Sequence, residues 1–231
     1  MSPYSILVRI ANKRSEKEKM SQLLLCMKEF CQYYHSKYGN SFSAVSDFRI
    51  LGAGMWMYLN DIEEYFWASS EAKRILDDMT KNEAAGSYKE MRINWYKARI
   101  EIDELEACII IQDYSKFQNI LESLMKNPQV NENYHVVILA LNSIRLIIKK
   151  DFYEAKKVLK NLLVRYEQLP EFVSSYIWDG LHAWIDKDES HEMKAVNNQI
   201  KNLMDALDGK KTPEKSAKLH SILEWLNKQV N

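Results

Sequence analysis

The scarcity of glycine and proline is the feature that most constrains how this chain can fold. The 231 residues include six Gly and four Pro, about 4% of the chain against the roughly 12% that is usual. A sandwich or barrel of many short strands needs frequent turn-forming residues. A glycine-rich phosphate-binding loop is also absent from the sequence. We therefore expect an all-α protein without strands.

Composition and charge narrow the class of protein further. The chain is 46% hydrophobic and 28% charged, and its 32 basic residues equal its 32 acidic ones. No net charge draws such a chain to nucleic acid or to anionic lipid. The longest apolar run, 136–141, is far shorter than the ~20 residues of a membrane span. The apolar cluster 4–10 is interrupted by Arg9 and is too short for a signal peptide. These patterns predict a cytoplasmic protein that binds neither nucleic acid nor membrane.

The three cysteines, Cys26, Cys31 and Cys108, lie inside apolar helical patterns. Their number is odd, and no CxxC motif suggests a zinc or redox site. The sequence therefore predicts three reduced and buried thiols, and no cofactor.

Apolar residues recur with a period of 3.6 along most of the chain, which indicates about ten helices. Ser15 with Glu18, and Ser87 with Glu90, have the spacing of a capping box at a helix start. Pro170 and Pro213 have the position of first-turn prolines. The predicted helices cover approximately 15–38, 47–59, 61–79, 87–111, 115–126, 132–149, 152–166, 170–185, 190–207 and 212–230.

The helices repeat as pairs. The turn at 113–114 aligns with the turn at 151–152, a spacing of 38, and Asp188 follows 37 residues later. Helix–turn–helix units repeated every 34 to 40 residues are typical of solenoids, in which stacking buries apolar faces that one pair cannot bury alone. The predicted organisation is an N-terminal segment (1–45) packed on the repeats (46–207), followed by a C-terminal capping helix (208–231).

Particular motifs in these pairs resemble the tetratricopeptide repeat family. Segments 48–55 and 176–183 are similar to the family's first helix, with a small residue at Gly52 and Gly180 where two helices approach closely. Segment 152–155 (Phe-Tyr-Glu-Ala) is similar to the start of its second helix. The resemblance implies a superhelix of stacked antiparallel helix pairs. Leu105 and Phe117 depart from it, since they occupy positions where the family has small residues.

The resemblance also implies that the first helix of each pair lines a concave groove that binds peptides. The groove residues that it implies are Arg99, Asp103, Glu106, Val137, Ala140, Ile144, Trp178, Leu181 and Trp184. The two tryptophans could equally be core residues, since Trp is often only partly buried. Trp178→Ala and Trp184→Ala would separate the two possibilities, because groove residues affect partner capture and core residues affect stability. The expected function is a non-enzymatic adaptor, chaperone or regulator that binds a peptide or helix of a partner protein.

Two other functions are open at this point. Glu132 with His135, and Asp188 with His191, could ligate a metal or cofactor inside a helical bundle, although acids at helix starts also simply favour the positive end of the helix dipole. The other alternative is self-association, as a homodimer, through an apolar repeat face. Metal analysis and sedimentation at several concentrations distinguish these from the leading hypothesis.

Charge is unevenly distributed along the chain. Residues 145–165 hold seven basic and two acidic side chains, a net charge of +5, and residues 61–78 hold six acidic and two basic ones, a net charge of −4. Both segments could be ordinary solvated helix faces. The sharper interpretation is one basic and one acidic region that steer a charged peptide.

Overall fold

The structure is a computed structural model and describes residues 2–14, 16–35, 37, 41–81, 86–128, 130–169, 172–173 and 191–230. This part of the chain contains ten α-helices, one five-residue π-helical turn and two strands of two residues each. The prediction of an all-α fold is therefore confirmed. The chain divides into two compact units, residues 1–104 and residues 105–231.

The first unit is built from four complete helices and most of a fifth. They are α1 (Pro3–Lys13), α2 (Lys17–Phe30), which continues into the π-turn Cys31–His35, α3 (Phe42–Leu59), α4 (Ile62–Thr80) and α5 (Tyr88–Ile110). Their apolar faces meet in one core, whose fully buried side chains include Leu24, Met27, Leu51, Ile75 and Leu76. α3 and α4 form an antiparallel hairpin joined by two residues.

Helix α1 lies ahead of the first predicted helix and adds an element that the sequence patterns did not indicate. Its N-cap is Ser2, whose hydroxyl accepts a hydrogen bond from the Ser5 N–H, and Pro3 occupies its first turn. The apolar residues of α1 share one broad face of the helix: Val8 and Ala11 on one side of it are buried in the core, whereas Ile6, Leu7 and Ile10 on the other side are exposed.

Two glycines of α3 allow close helix crossings. A Cβ on Gly52 would lie 3.2 Å from the Cβ of Ala68 in α4, which confirms that Gly52 occupies a close crossing position. A Cβ on Gly54 would overlap the Leu24 side chain of α2, whose Cγ lies 3.3 Å from that point. Small residues at these two positions let α3 pack tightly on both neighbours.

The second unit contains the last residues of α5 and five further helices. They are α6 (Tyr114–Lys126), α7 (Glu132–Ile148), α8 (Phe152–Gln168), α9 (His191–Leu207) and α10 (Pro213–Val230). α8 packs against both α7 and α10, and the ring of Phe152 meets Trp225 edge-on at 5.5 Å. The Tyr166 hydroxyl donates to the Ala206 carbonyl at 3.1 Å, which ties α8 to the end of α9.

A short antiparallel ladder corrects the expectation that the chain has no strands. Strand β1 (Phe172–Val173) pairs with β2 (Gly209–Lys210), immediately after α9. Gly209 has φ +65°, a left-handed conformation that turns the chain out of the helix. Residues 172–173 were expected in the predicted helix 170–185, and the rest of that helix lies outside the described residues.

Three helix–helix turns share one construction. Each contains a residue in the left-handed conformation, followed by an aspartate whose Oδ1 accepts the N–H of the residue three positions later, at 2.9 to 3.3 Å. The residue pairs are Asn60–Asp61, Gln112–Asp113 and Lys150–Asp151, with φ of 55°, 58° and 59° at the first residue. The turns at 113 and 151 therefore share one local geometry, and the turn at 61 has it as well.

The cysteines differ in their surroundings. Cys31 and Cys108 are buried, as expected, but Cys26 is exposed. Cys26 lies beside the buried stripe of α2, which includes Leu24 and Met27. Burial, together with the nearby Asp47 carboxylate, raises the pKa of the Cys31 thiol to about 12. In the part of the chain that the structure describes, no helix has the length and apolar character that crossing a membrane requires.

Candidate functional site

The N-terminal half of α5 exposes a stripe of large apolar side chains. Tyr88 is 77% exposed, Met91 45% and Trp95 40%. Their spacing of three and then four residues places them on one face of the helix. Clusters of exposed aromatic and methionine side chains are unusual on a protein surface and mark sites of interaction.

A second layer of side chains supports the stripe. Tyr96 meets Trp95 edge-on, with ring centroids 4.9 Å apart, and stacks on Phe42 at 5.3 Å. The Arg92 guanidinium lies 4.2 Å above the Phe42 ring. Phe42 and Tyr96 themselves pack against the core of the first unit, so this layer is anchored. We call Phe42, Tyr88, Met91, Arg92, Trp95 and Tyr96 the aromatic surface.

Local hydrogen bonds fix the beginning of α5, where the stripe starts. The Ser87 hydroxyl accepts from the Glu90 N–H at 3.1 Å, as the predicted capping box requires. The Glu90 carboxylate accepts from the N–H of Gly86 rather than from that of Ser87. Gly86 has φ +77°, a conformation that glycine adopts without strain. The first turn of the helix is therefore held from both sides.

Two of the predicted groove residues continue the same face of α5 but are used internally. Arg99 is buried and lies one turn beyond Trp95. Asp103 accepts from Arg49 of α3 at 2.7 Å and pairs with Arg99 at 3.4 Å. The Asp103 carboxylate thus joins two arginines of neighbouring helices. The charges of Arg99 and Asp103 therefore hold α5 in place within the first unit, and they do not form a surface for a partner.

The other predicted groove residues are not surface residues where the structure describes them. Ala140 and Ile144 are fully buried, Val137 is nearly so, and Glu106 is buried in the second unit as well. Almost every side chain of α7 between 136 and 147 is covered, because a helix that is apolar on all sides is buried on all sides. Their placement in an exposed groove is therefore corrected. Trp178, Leu181 and Trp184 lie outside the described residues.

Of the residues considered as metal ligands, Glu132 has another partner. The Glu132 carboxylate accepts from Arg165 at 2.6 Å, and this hydrogen bond holds the pKa of Glu132 below its usual range. The Nδ1 atom of His135 is buried without a hydrogen-bond partner. Asp188 lies outside the described residues, as does the side chain of His191. Within the described ranges, no group of three or more His, Cys, Asp or Glu residues could hold a metal ion.

A buried polar cluster in the first unit was not identified from the sequence. Asp47 of α3 accepts hydrogen bonds from the Ser2 N–H at 3.1 Å and from the Ser5 hydroxyl, and it pairs with His35 Nε2 at 3.1 Å. Burial alone would raise the pKa of Asp47, but these hydrogen bonds outweigh it and lower the pKa. The one indication in the sequence is that Asp47 is a single acid between two apolar residues, Val45 and Phe48, both of which are buried.

The arrangement around Asp47 does not have the geometry of nucleophilic catalysis. In a catalytic triad the histidine lies between the nucleophile and the acid and takes the proton of the nucleophile. Here the carboxylate lies between Ser5 and His35 and binds both. Ser2, Ser5, His35 and Asp47 are all buried. The cluster therefore anchors α1 and the π-turn to α3.

Four of the six acids in the predicted acidic region at 61–78 form ion pairs within the first unit. Glu64 pairs with Lys28 at 2.6 Å, and Asp77 pairs with Lys97 at 2.7 Å. Arg74, one of the two bases of the segment, pairs with both Glu71 and Asp78. These carboxylates serve mainly as internal partners, so the segment does not present a field equal to its formal charge.

Comparison with protein-family models, with curated proteins and with solved structures gives no match to this chain. Evidence for its function therefore comes from its own surfaces. The aromatic surface was missed from the sequence because Tyr88, Met91 and Trp95 have the spacing of core positions in an amphipathic helix. Only the position of the neighbouring helices distinguishes an exposed stripe from a buried one.

Proposed function

We propose that this chain is a non-enzymatic protein-binding module that captures a helix or peptide of a partner protein on its aromatic surface. The single observation that carries the proposal is the exposed stripe of Tyr88, Met91 and Trp95 above an anchored aromatic layer. Tyrosine, tryptophan and arginine dominate the energetics of protein interfaces. Rigid support reduces the entropy that is lost when such side chains are immobilised on binding.

The geometry of the stripe favours an amphipathic helix as the captured segment. Side chains three, four and seven residues apart form a ridge that fits the apolar face of another helix. Met91 adds a flexible side chain that adapts to different partners. The exposed guanidinium of Arg92 adds a positive charge at the edge. An apolar helix with an acidic flank is the partner segment that fits best.

We further propose that the helix pairs stack as tetratricopeptide-like repeats. Two observations support this arrangement. Gly52 lies at a close crossing with α4, and Ser143 is a buried small residue in the corresponding place of α7, where its hydroxyl donates to the Leu139 carbonyl at 2.9 Å. Adaptor, chaperone and regulator are the roles that a module of this kind serves, and the partner determines which of them applies.

Affinity capture with matched variants tests the proposal. The Met91→Ala and Trp95→Ala variants are compared with the wild-type chain and with Met57→Ala, whose methionine is 48% exposed on α3. We expect a partner that wild-type and Met57→Ala retain and that the two aromatic-surface variants lose. Because truncation of a central interface residue costs about 2 kcal/mol or more, affinity should fall roughly 30-fold. Equal retention by all four proteins would contradict the proposal.

Sedimentation of the same proteins separates a foreign partner from self-association. We expect the wild-type chain and Trp95→Ala to have the same sedimentation coefficient at all concentrations. A wild-type dimer that Trp95→Ala dissociates would show instead that the aromatic surface binds a second copy of the chain.

A further inference from the structure

The outward face of α8 in the second unit combines lysines with two exposed apolar side chains. Tyr153 and Val164 are 58% and 57% exposed, and Lys157 and Lys160 lie between them, also exposed. The spacings are four, three and four residues, so the four side chains form one line along the helix. This line belongs to the second unit, whereas the aromatic surface belongs to the first.

Positive charge dominates this part of the unit. Residues 149–160 contain five lysines and two acids, a net charge of +3. Both acids have local partners: the Asp151 carboxylate caps α8, and Glu154 pairs with Lys157 at 2.7 Å, so Lys160 is the lysine of the line that no described acid pairs with. The five lysines are Lys149, Lys150, Lys156, Lys157 and Lys160. Glu167, near the end of α8, is the next acid along the helix and lies beyond Val164.

The two apolar side chains are far enough apart to define the length of a ligand. Eleven residues separate Tyr153 from Val164, which corresponds to three helical turns or about 16 Å. A partner helix lying along α8 would place one apolar residue on each, and its own acids would face the lysines between them. We propose that this face of α8 binds an acidic amphipathic helix of a protein partner, with apolar residues three turns apart and acids between them.

A protein helix fits this face better than single-stranded nucleic acid does. Nucleic-acid strands bind on successive aromatic side chains, one for each stacked base. Helix α8 exposes one aromatic ring, that of Tyr153, and the ammonium of Lys157 already lies 4.3 Å from its centroid. The apolar Val164 at the other end offers no stacking surface. Two cationic positions between two apolar ones, at helical spacing, match an amphipathic helix whose acids lie between its apolar residues.

A designed peptide provides the direct test. The probe is a helical peptide of about 18 residues with leucines eleven positions apart and glutamates on the same face between them. Its affinity for the full chain is measured by fluorescence anisotropy at low and at moderate salt. We expect the double variant Lys157→Glu/Lys160→Glu to weaken binding on the order of ten-fold, since reversed charges at an interface repel. The control Lys194→Glu/Lys201→Glu reverses two exposed lysines of α9 and should change binding little.

Charge exchange makes the test specific. A second peptide with lysines in place of the glutamates should bind the Lys157→Glu/Lys160→Glu variant better than it binds the wild-type chain. Trp95→Ala should leave the affinity for each of the two peptides unchanged, because Trp95 lies on the aromatic surface and not on α8. This test therefore does not depend on whether the proposed function is correct. Equal binding by all variants, or no binding to the wild type, would overturn the proposal. Tighter binding of poly(U) RNA or of phosphatidylserine vesicles, with the same dependence on Lys157 and Lys160, would also overturn it.

Discussion

His35 Nε2 lies 3.1 Å from Asp47 Oδ2, and this contact between two buried side chains joins the π-turn to α3. The other oxygen of the same carboxylate accepts from Ser2 and Ser5 of α1. One acid thus connects three elements of the first unit. Removing such a group leaves several buried donors without an acceptor, which costs far more than the net energy of the hydrogen bonds themselves.

Asp47→Ala should lower the free energy of unfolding of the chain by about 3 to 5 kcal/mol, because it leaves His35 Nε2 and the Ser2 N–H unpaired and removes one partner of the Ser5 hydroxyl. Asp47→Asn keeps an acceptor oxygen and should cost less. The difference between wild type and Asp47→Asn should depend on pH. The hydrogen bonds lower the pKa of Asp47 in the folded chain, so its contribution is present above the unfolded-state value of about 3.9 and is lost as pH falls through the folded-state pKa.

Urea unfolding of both proteins between pH 7 and pH 3 measures this effect. The stability curves should lie apart at neutral pH and approach each other below about pH 4. A constant separation over the whole range would mean that the carboxylate charge of Asp47 does not contribute. Asp61→Asn, at a half-buried helix cap, is a suitable comparison because Asn is also a good N-cap residue.

The three cysteines should react at different rates with a thiol reagent. Cys26 is exposed, whereas Cys31 and Cys108 are buried and the pKa of Cys31 is raised to about 12. Because the thiolate is the reactive form, we expect one fast equivalent in the folded chain and three in denaturant. Cys26→Ser should abolish the fast phase. Rapid labelling of Cys31 in the folded protein would show that α1 and α2 open readily.

Gly54→Ala should destabilise the chain by about 1 to 3 kcal/mol, since the new methyl group overlaps the fully buried side chain of Leu24. The gain in helix propensity from Gly to Ala, about 1 kcal/mol, offsets part of this cost. Combining Gly54→Ala with Leu24→Ala should give a smaller loss than the sum of the two single variants, because the cavity accepts the methyl group. Additive thermal or urea unfolding data would contradict the close crossing of α2 and α3.

Ile144→Ala and Met91→Ala should have opposite consequences. Ile144 is fully buried in α7, so its truncation should cost about 2 to 5 kcal/mol of stability. Met91 is exposed, and its truncation should change stability by less than about 0.5 kcal/mol while it weakens partner capture. Parallel measurements of unfolding and of partner binding distinguish the two. Unchanged stability of Ile144→Ala would restore that residue to a surface role.

The sequence predicted the ends of helices best where capping residues mark them. The bounds of α6, α7 and α8 agree with their predictions to within two residues, because the caps Asp113, Asn131 and Asp151 and the proline at 128 mark these ends. It was least informative about which side of a helix faces outward. α7 is apolar all round and α5 carries apolar residues on more than one side, so Ile144 and Trp95 could be told apart only by their neighbours. Burial is set by tertiary packing, which a period of 3.6 does not encode.

The short turns at Asp61, Asp113 and Asp151 also bear on how fast the molecule assembles. Each joins helices separated by two or three residues, so the hairpins α3–α4 and α7–α8 form from segments that are already adjacent in the chain. Little loop entropy is lost before their apolar contacts form. Proteins whose contacts are mostly local refold in microseconds to milliseconds. The hairpins are therefore the natural first intermediates, and α1, which depends on the distant Asp47, is the element expected to dock last.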